Sequence, residues 1–385
     1  MSPATNYSNM QQTSVLPAAL QSRQHFPILD GLRGVAAIAV VIFHFMEIAV
    51  PDYHQSFIAH AYLAVDFFFC LSGFVIAYAY DERLKQIGVW RFIRLRLIRL
   101  HPLVVIGSVI GLVAFVFDPF NDLYDTYATK TFGMFVASCL MIPYPLVHER
   151  YFNLFHLNPP TWSLFWEYIA NVFYALVLVK ISNKILWALA LVATALLCFE
   201  ANRAGYLGVG WGGDSFAGGG IRVFYSFIAG ILVYRSGSVI KSRAGFAGIS
   251  ILLLLVFMIP FAEKTNPYVD CAAAIILFPL LVAFGAGAVL KPAYAAICKF
   301  SGEISYPLYM IHYPFIWLFM SWVELKKPSL NQMTIVILFG VPLLIALAYT
   351  IMIWLDLPIR KYLKLKMEKE EAEDAKEAAL EKRSN

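Results

Sequence analysis

Six ionisable side chains, Arg33, His44, Asp66, Glu167, Arg222 and His312, stand inside otherwise apolar stretches. A charge at bilayer depth costs at least about 2.5–3.5 kcal/mol, so each is a functional candidate. A neutral imidazole beside a carboxylate is the usual device for drawing the proton off a hydroxyl so that its oxygen can attack. His44 is read as that base, with Asp66 or Glu167 orienting it and stabilising the imidazolium. The alternative is a structural polar cluster that locks helices together.

The elements that must position them follow from composition. Of 385 residues, 60% are hydrophobic and 14% charged, against roughly 45–50% and about 25% in soluble domains. This excludes a disordered chain, a nucleic-acid binder and an ordinary cytosolic enzyme. The expected fold is all-α: a polytopic transmembrane helical bundle in the lipid bilayer. Apolar windows of about 17–25 residues fall at 29–50, 61–80, 102–117, 163–180, 185–200, 221–236, 245–262, 270–289, 306–323 and 333–356. An eleventh, 132–147, is short and holds Pro143 and Pro145, so it is expected to be re-entrant or interfacial. With ten spans and the N-terminus inside, 22 basic residues fall inside and 6 outside, as the positive-inside rule requires. The net charge of +5 therefore flanks the spans rather than marking a polyanion site. Both termini are expected to be cytoplasmic: a flexible tail over 1–27 without a signal peptide, a membrane domain over 28–357 and a charged tail over 358–385. The last is read as a solvated, partly formed helix with pairs such as Lys366 and Glu370, the alternative being a partner- or lipid-binding segment.

On this topology His44, Asp66 and Glu167 lie about 9, 7.5 and 6 Å below the outer ends of their spans, at 1.5 Å per residue. Three helices thus bring three groups to one layer. Arg33 lies about 16 Å nearer the inside by the same rise, one turn from Asp30, and is either a local ion pair or a cation at an inner entrance. Arg91, Arg94, Arg96, Arg99 and His101 form a basic run that stops at Pro102. Their planar forks suit a phosphorylated ligand, although anchoring alone explains two or three of them. Ser305, Tyr306, Tyr309 and His312 share one helix face, as a packing network or a ligand tunnel. The glycine-rich stretch 200–220 offers Tyr206 and Trp211 as stacking residues for a glycan, or serves as a flexible linker. Five scattered cysteines form no CxxC pair and give neither a disulfide framework nor a metal signature.

Four blocks resemble the membrane acyltransferase-3 family, the integral-membrane O-acyltransferases of bacterial surface glycans: Leu29-Asp30-Gly31-Leu32-Arg33-Gly34 through His44, Val65-Asp66 through Leu71-Ser72-Gly73-Phe74, the arginine run into Pro102, and Pro160-Thr161-Trp162-Ser163-Leu164 followed by Glu167. Ile304 to His312 is similar to the family's last motif. The resemblance implies a bacterial inner-membrane enzyme with Arg33 and His44 essential, no permanently bound cofactor, a cytoplasmic acyl-CoA donor such as acetyl-CoA, and an outer glycan or glycolipid acceptor. Polysaccharide-biosynthesis proteins are the expected partners. Donor phosphates would meet Arg94, Arg96 and Arg99, the arm would pass Arg33, and Asp30, Tyr309, His312, Trp162 and Ser163 would support the tunnel. Where the family often has a second Glu after position 167, this chain has Tyr168. Some members carry an appended hydrolase-like domain; here transfer is expected to be completed in the membrane domain or handed to a partner. A proton-coupled transporter or flippase, with His44, Asp66 and Glu167 as a relay, is the competing reading. A second is a non-enzymatic structural subunit.

Overall fold

The computed structural model describes residues 25–384; the expected tail over 1–27 lies mostly outside them. The helices are α1 Pro27–Ala49, α2 Ala64–Tyr80, α3 Leu84–Val116, α4 Thr131–Cys139, α5 Thr161–Leu176, α6 Asn183–Ala204 and α7 Phe216–Arg235. They continue with α8 Gly245–Phe257, α9 Asn266–Gly287, α10 Ala295–Ile311, α11 Tyr313–Lys326, α12 Leu330–Ile351 and α13 Leu357–Ser384. No strand forms among the described residues. Among the described residues, eight helical stretches are long and apolar enough to cross a membrane: α1, α2 with the turn before it, α3, α5 with the turn after it, α6, α7, α9 and the run from Leu330. This is a multi-pass helical membrane fold. Residues such as Leu191, Phe199, Leu338, Phe339 and Leu343 point outward from it, as a bilayer solvent permits.

Small residues decide which helices touch, because without hydrophobic drive in lipid, helices adhere where backbones can approach closely. A Cβ on Gly73 of α2 would lie 2.0 Å from the Phe227 carbonyl, and one on Gly230 of α7 would lie 1.9 Å from the Cys70 carbonyl. The two glycines thus seat α2 and α7 reciprocally. Gly34 likewise meets Ser301, and Gly302 meets Asp30, drawing α1 against α10. α1 also packs on α8, α11 and α12, and so stands at the centre of the bundle.

Three expectations change. The expected span 102–117 does not begin at Pro102; the basic run ends there, but α3 carries it and continues through the proline to Val116. Proline removes one backbone donor, but α3 is held on both sides of it by α5 and α10, and Tyr306 donates to the Leu100 carbonyl at 2.6 Å. The expected span 306–323 is the middle of a longer run, α10 and α11, which begins at Ala295 because Cys298, Ser301 and Gly302 are buried, the last two against α1. Finally, the boundary at 357 is no break: a π-helical turn, Met352–Asp356, joins α12 to α13, and Glu370 pairs with Arg94 of α3 rather than with Lys366. Segment 132–147 forms only the nine-residue α4 and then an irregular chain, about 14 Å of helix at 1.5 Å per residue and too short to span.

Candidate active site

Two cavities lie at successive levels along α1. The first, about 500 Å³, is lined by Arg33, Arg96, Arg99, Glu167, Ser163 and Arg360 among others. The second, about 400 Å³, is lined by His44, Glu47, Tyr53, Trp162, Trp211 and Trp317 among others. Val65 and Tyr309 line both, so the two spaces border on the same side chains. The Tyr309 hydroxyl shares a 2.7 Å hydrogen bond with Ser163 Oγ, which ties the junction to the start of α5.

In the second cavity His44 Nδ1 donates to Glu47 Oε2 at 2.6 Å, and Tyr53 donates to the other oxygen, Glu47 Oε1, at 2.5 Å. A carboxylate on Nδ1 fixes the tautomer and leaves Nε2 as an acceptor. The His44 ring stacks on that of His312 with centroids 5.4 Å apart and meets Tyr313 edge-on at 4.8 Å. His312 Nδ1 donates to the Tyr309 carbonyl at 2.7 Å. Among the described residues its buried Nε2 has no partner.

This corrects the expected pairing of His44 with Asp66 or Glu167. Asp66 is engaged by Arg222, Nη2 to Oδ2 at 2.6 Å and Nε to both oxygens at 3.2 Å, with the two residues 0% and 1% exposed. A charge sealed from solvent needs a partner charge, and Arg222 provides it while also donating to the Tyr62 and Val209 carbonyls. Glu167 lies in the first cavity, accepting from Ser72 Oγ at 2.5 Å and Arg96 Nη2 at 3.3 Å. Asp66 takes another face, toward α7, and Glu167 lies at another level, bonded to Ser72 six residues past Asp66 on α2, so the three groups do not share one layer. Glu47 was missed although its signal is plain: an acidic residue three positions after His44, one helical turn away.

Arg33 makes the expected local ion pair and also faces a cavity. It pairs with Asp30 at 3.2 Å, donates to Ser305 Oγ and the Gly302 carbonyl at 2.7 Å each, and lines the first cavity. Arg96 and Arg99 line it as well. Arg94 does not; it pairs with Glu370, as Arg91 does with Glu371 at 3.3 Å, because it projects from another face of α3. Arg99 makes no hydrogen bond or ion pair among the described residues, leaving a full guanidinium fork open.

The second cavity is walled by aromatic rings. Trp162 lies under the Arg222 guanidinium at 5.4 Å. The glycine-rich stretch is a folded loop and not a loose linker: Leu207 N–H donates to Asp270 at 2.7 Å, Trp211 Nε1 donates to the Gly208 carbonyl at 3.0 Å, and Tyr206, Gly208 and Trp211 face the cavity. Gly210 has φ +113°, and a Cβ there would strike Gly219 and Trp162 at 2.7 Å, so only glycine fits.

A half-buried imidazole–carboxylate pair thus stands beside an arginine-lined space in a helical membrane fold. The chain belongs to the acyltransferase-3 family, whose acyltransferase domain matches residues 26–353. It is 35% identical over 162 residues to protein 2 in the picA locus of Rhizobium radiobacter, covering 40% of this chain and 82% of that protein. It is 24% identical over 339 residues to the peptidoglycan O-acetyltransferase OatA of Listeria monocytogenes, covering 80% of this chain and 52% of that protein. The chain thus spans about half the length of the latter relative. No solved structure matches. The protein is a multi-pass membrane member of that family.

Proposed function

We propose that the protein moves an acyl group, acetyl above all, from acyl-CoA to a hydroxyl of a membrane-associated or extracytoplasmic glycan, in the inner membrane of a bacterium and with both termini in the cytoplasm. The observation that carries this reading is that the two cavities share Val65 and Tyr309 in their walls. The arginine cavity lies toward the N-terminal end of α1, the end that the basic-residue count puts inside. There Arg99, Arg96 and Arg33 suit the phosphates and carbonyls of the donor. The aromatic cavity suits the apolar faces of a sugar.

His44 Nε2 takes the proton of the acceptor hydroxyl while its oxygen attacks the thioester carbonyl. The C–S bond breaks as the new C–O bond forms, and the thiolate leaves with the proton returned by the imidazolium. Glu47 stabilises that imidazolium and holds the ring, in the role expected of Asp66 or Glu167. Asp66 then serves the packing of α2 on α7, and Glu167 holds Arg96 toward the donor. Tyr309, Ser163 and His312 form the passage between the two levels, and Trp162 a wall of the acceptor space. Proteins of polysaccharide synthesis supply the acceptor.

The test uses membrane vesicles carrying the full chain, radiolabelled acetyl-CoA, and label recovered in the glycan fraction. His44→Ala is expected to lower transfer by about 10²–10⁴-fold, with acetyl-CoA binding retained. A fully active His44→Ala enzyme overturns the proposal.

A further inference from the structure

The family match ends at residue 353, yet the arginine cavity does not. Met352, Ile353, Asp356, Leu357 and Arg360 form one of its walls. The π-helical turn Met352–Asp356 adds a residue to one turn of the helix, a distortion found most often where a site must be shaped, and it sets Asp356 inward. Asp356 is 1% exposed and accepts from Arg360 Nη1 at 3.1 Å. Its other oxygen, Oδ1, is buried without a partner among the described residues. Arg99 lines the same cavity and makes no hydrogen bond or ion pair among the described residues, its charge being felt at Asp356. Four guanidiniums, of Arg33, Arg96, Arg99 and Arg360, thus line it against the carboxylates of Glu167, Glu303 and Asp356. Two of these are already engaged, by Arg96 and by Arg360.

Farther along, Glu370 pairs with Arg94 and Glu371 with Arg91. These pairs fasten α13 to the basic segment of α3. Each is partly exposed, hence individually weak and sensitive to salt.

We infer that the C-terminal helix is part of the donor site: Arg360, held by Asp356, binds a phosphate of the donor beside Arg99, and the Glu370/Glu371 clasp keeps the helix in place. This rests on the donor reading above and deepens it. An arginine fork against a phosphate oxygen is a charge-assisted contact of the stronger kind, which is the use an unpaired Arg99 next to a pre-oriented Arg360 serves.

The test is calorimetric titration of the detergent-purified full chain with acetyl-CoA. The double variant Asp356→Asn/Arg360→Gln replaces the ion pair by two amides, so no buried carboxylate is left alone. It is expected to bind about tenfold or more weakly, as is Arg99→Gln. Glu370→Arg/Glu371→Arg is expected to bind several-fold more weakly, with affinity restored by adding Arg91→Glu/Arg94→Glu. Wild-type affinity in the double variant, alongside weakened Arg99→Gln, overturns the inference and leaves the donor reading standing. Absence of binding by the wild-type chain overturns both. Should the double variant not fold, the exposed charge swap decides: wild-type affinity there overturns the inference.

Discussion

Replacing Glu47 by Gln keeps a side chain of the same length against His44 Nδ1 and removes the charge that stabilises an imidazolium. Glu47→Gln is expected to lower acetyl transfer at least about tenfold while thermal stability in detergent stays near wild type, since Tyr53 and His44 both retain a hydrogen-bonding neighbour. Unchanged transfer would sink the role given to Glu47. Asp66 behaves in the opposite way. Asp66→Ala leaves the Arg222 guanidinium sealed at 1% exposure without its charge partner, a loss of about 3–5 kcal/mol by the measure of broken buried pairs. The expected readout is poor yield and a strongly lowered melting temperature, with partial recovery in Asp66→Asn/Arg222→Gln. A well-folded, inactive Asp66→Ala protein would instead return Asp66 to the catalytic set.

Helix pairs here are registered by glycines rather than by apolar stripes. A methyl on Gly73 gains up to about 1 kcal/mol in helix propensity, but it would stand 2.0 Å from a backbone carbonyl. Backbone cannot yield as a flexible side chain does, so the overpacking cost of about 1–3 kcal/mol wins. Gly73→Ala and Gly230→Ala are each expected to lower the melting temperature, and the double variant less than the sum because both relieve the same contact. Full additivity would argue against the reciprocal seat. The same device on α1 and α10, Gly34 against Ser301 and Gly302 against Asp30, brings Arg33 within hydrogen-bond reach of Ser305.

At the scale of the molecule the two cavities share Val65 and Tyr309 in their walls, and the proposed transfer needs donor and acceptor to meet there. Val65, 7% exposed, borders both. A larger side chain there, Val65→Phe, is expected to leave acetyl-CoA affinity at the wild-type value while transfer is lost, because donor and acceptor then occupy separated spaces. Retained transfer would mean that the reacting groups meet elsewhere. Reverse topology would also be exposed by this arrangement: cysteine labelling of the C-terminal helix from the periplasmic side contradicts the cytoplasmic placement of the arginine cavity.

Composition and hydropathy were enough to define an all-helical membrane chain, since the bilayer leaves helices as the economical way to satisfy every backbone group of a run such as Pro27–Ala49 or Asn183–Ala204. Motif order was enough to indicate the family, charge out of place singled out Arg33 and His44, and the basic run before Pro102 singled out Arg99. Tertiary structure alone decided who pairs with whom. The expected common depth of Asp66, Glu167 and His44 does not hold them together: Asp66 turns to Arg222 across the close approach that Gly73 and Gly230 permit, and Glu167 sits a level away with Ser72 and Arg96. Arg94 and Arg99 stand five residues apart on different faces of one helix, and the packing of α13 gives each its surroundings, the clasp for Arg94 and the cavity for Arg99. A linear pattern records how far along a helix a group lies; which neighbour it meets is settled by the helices packed around it.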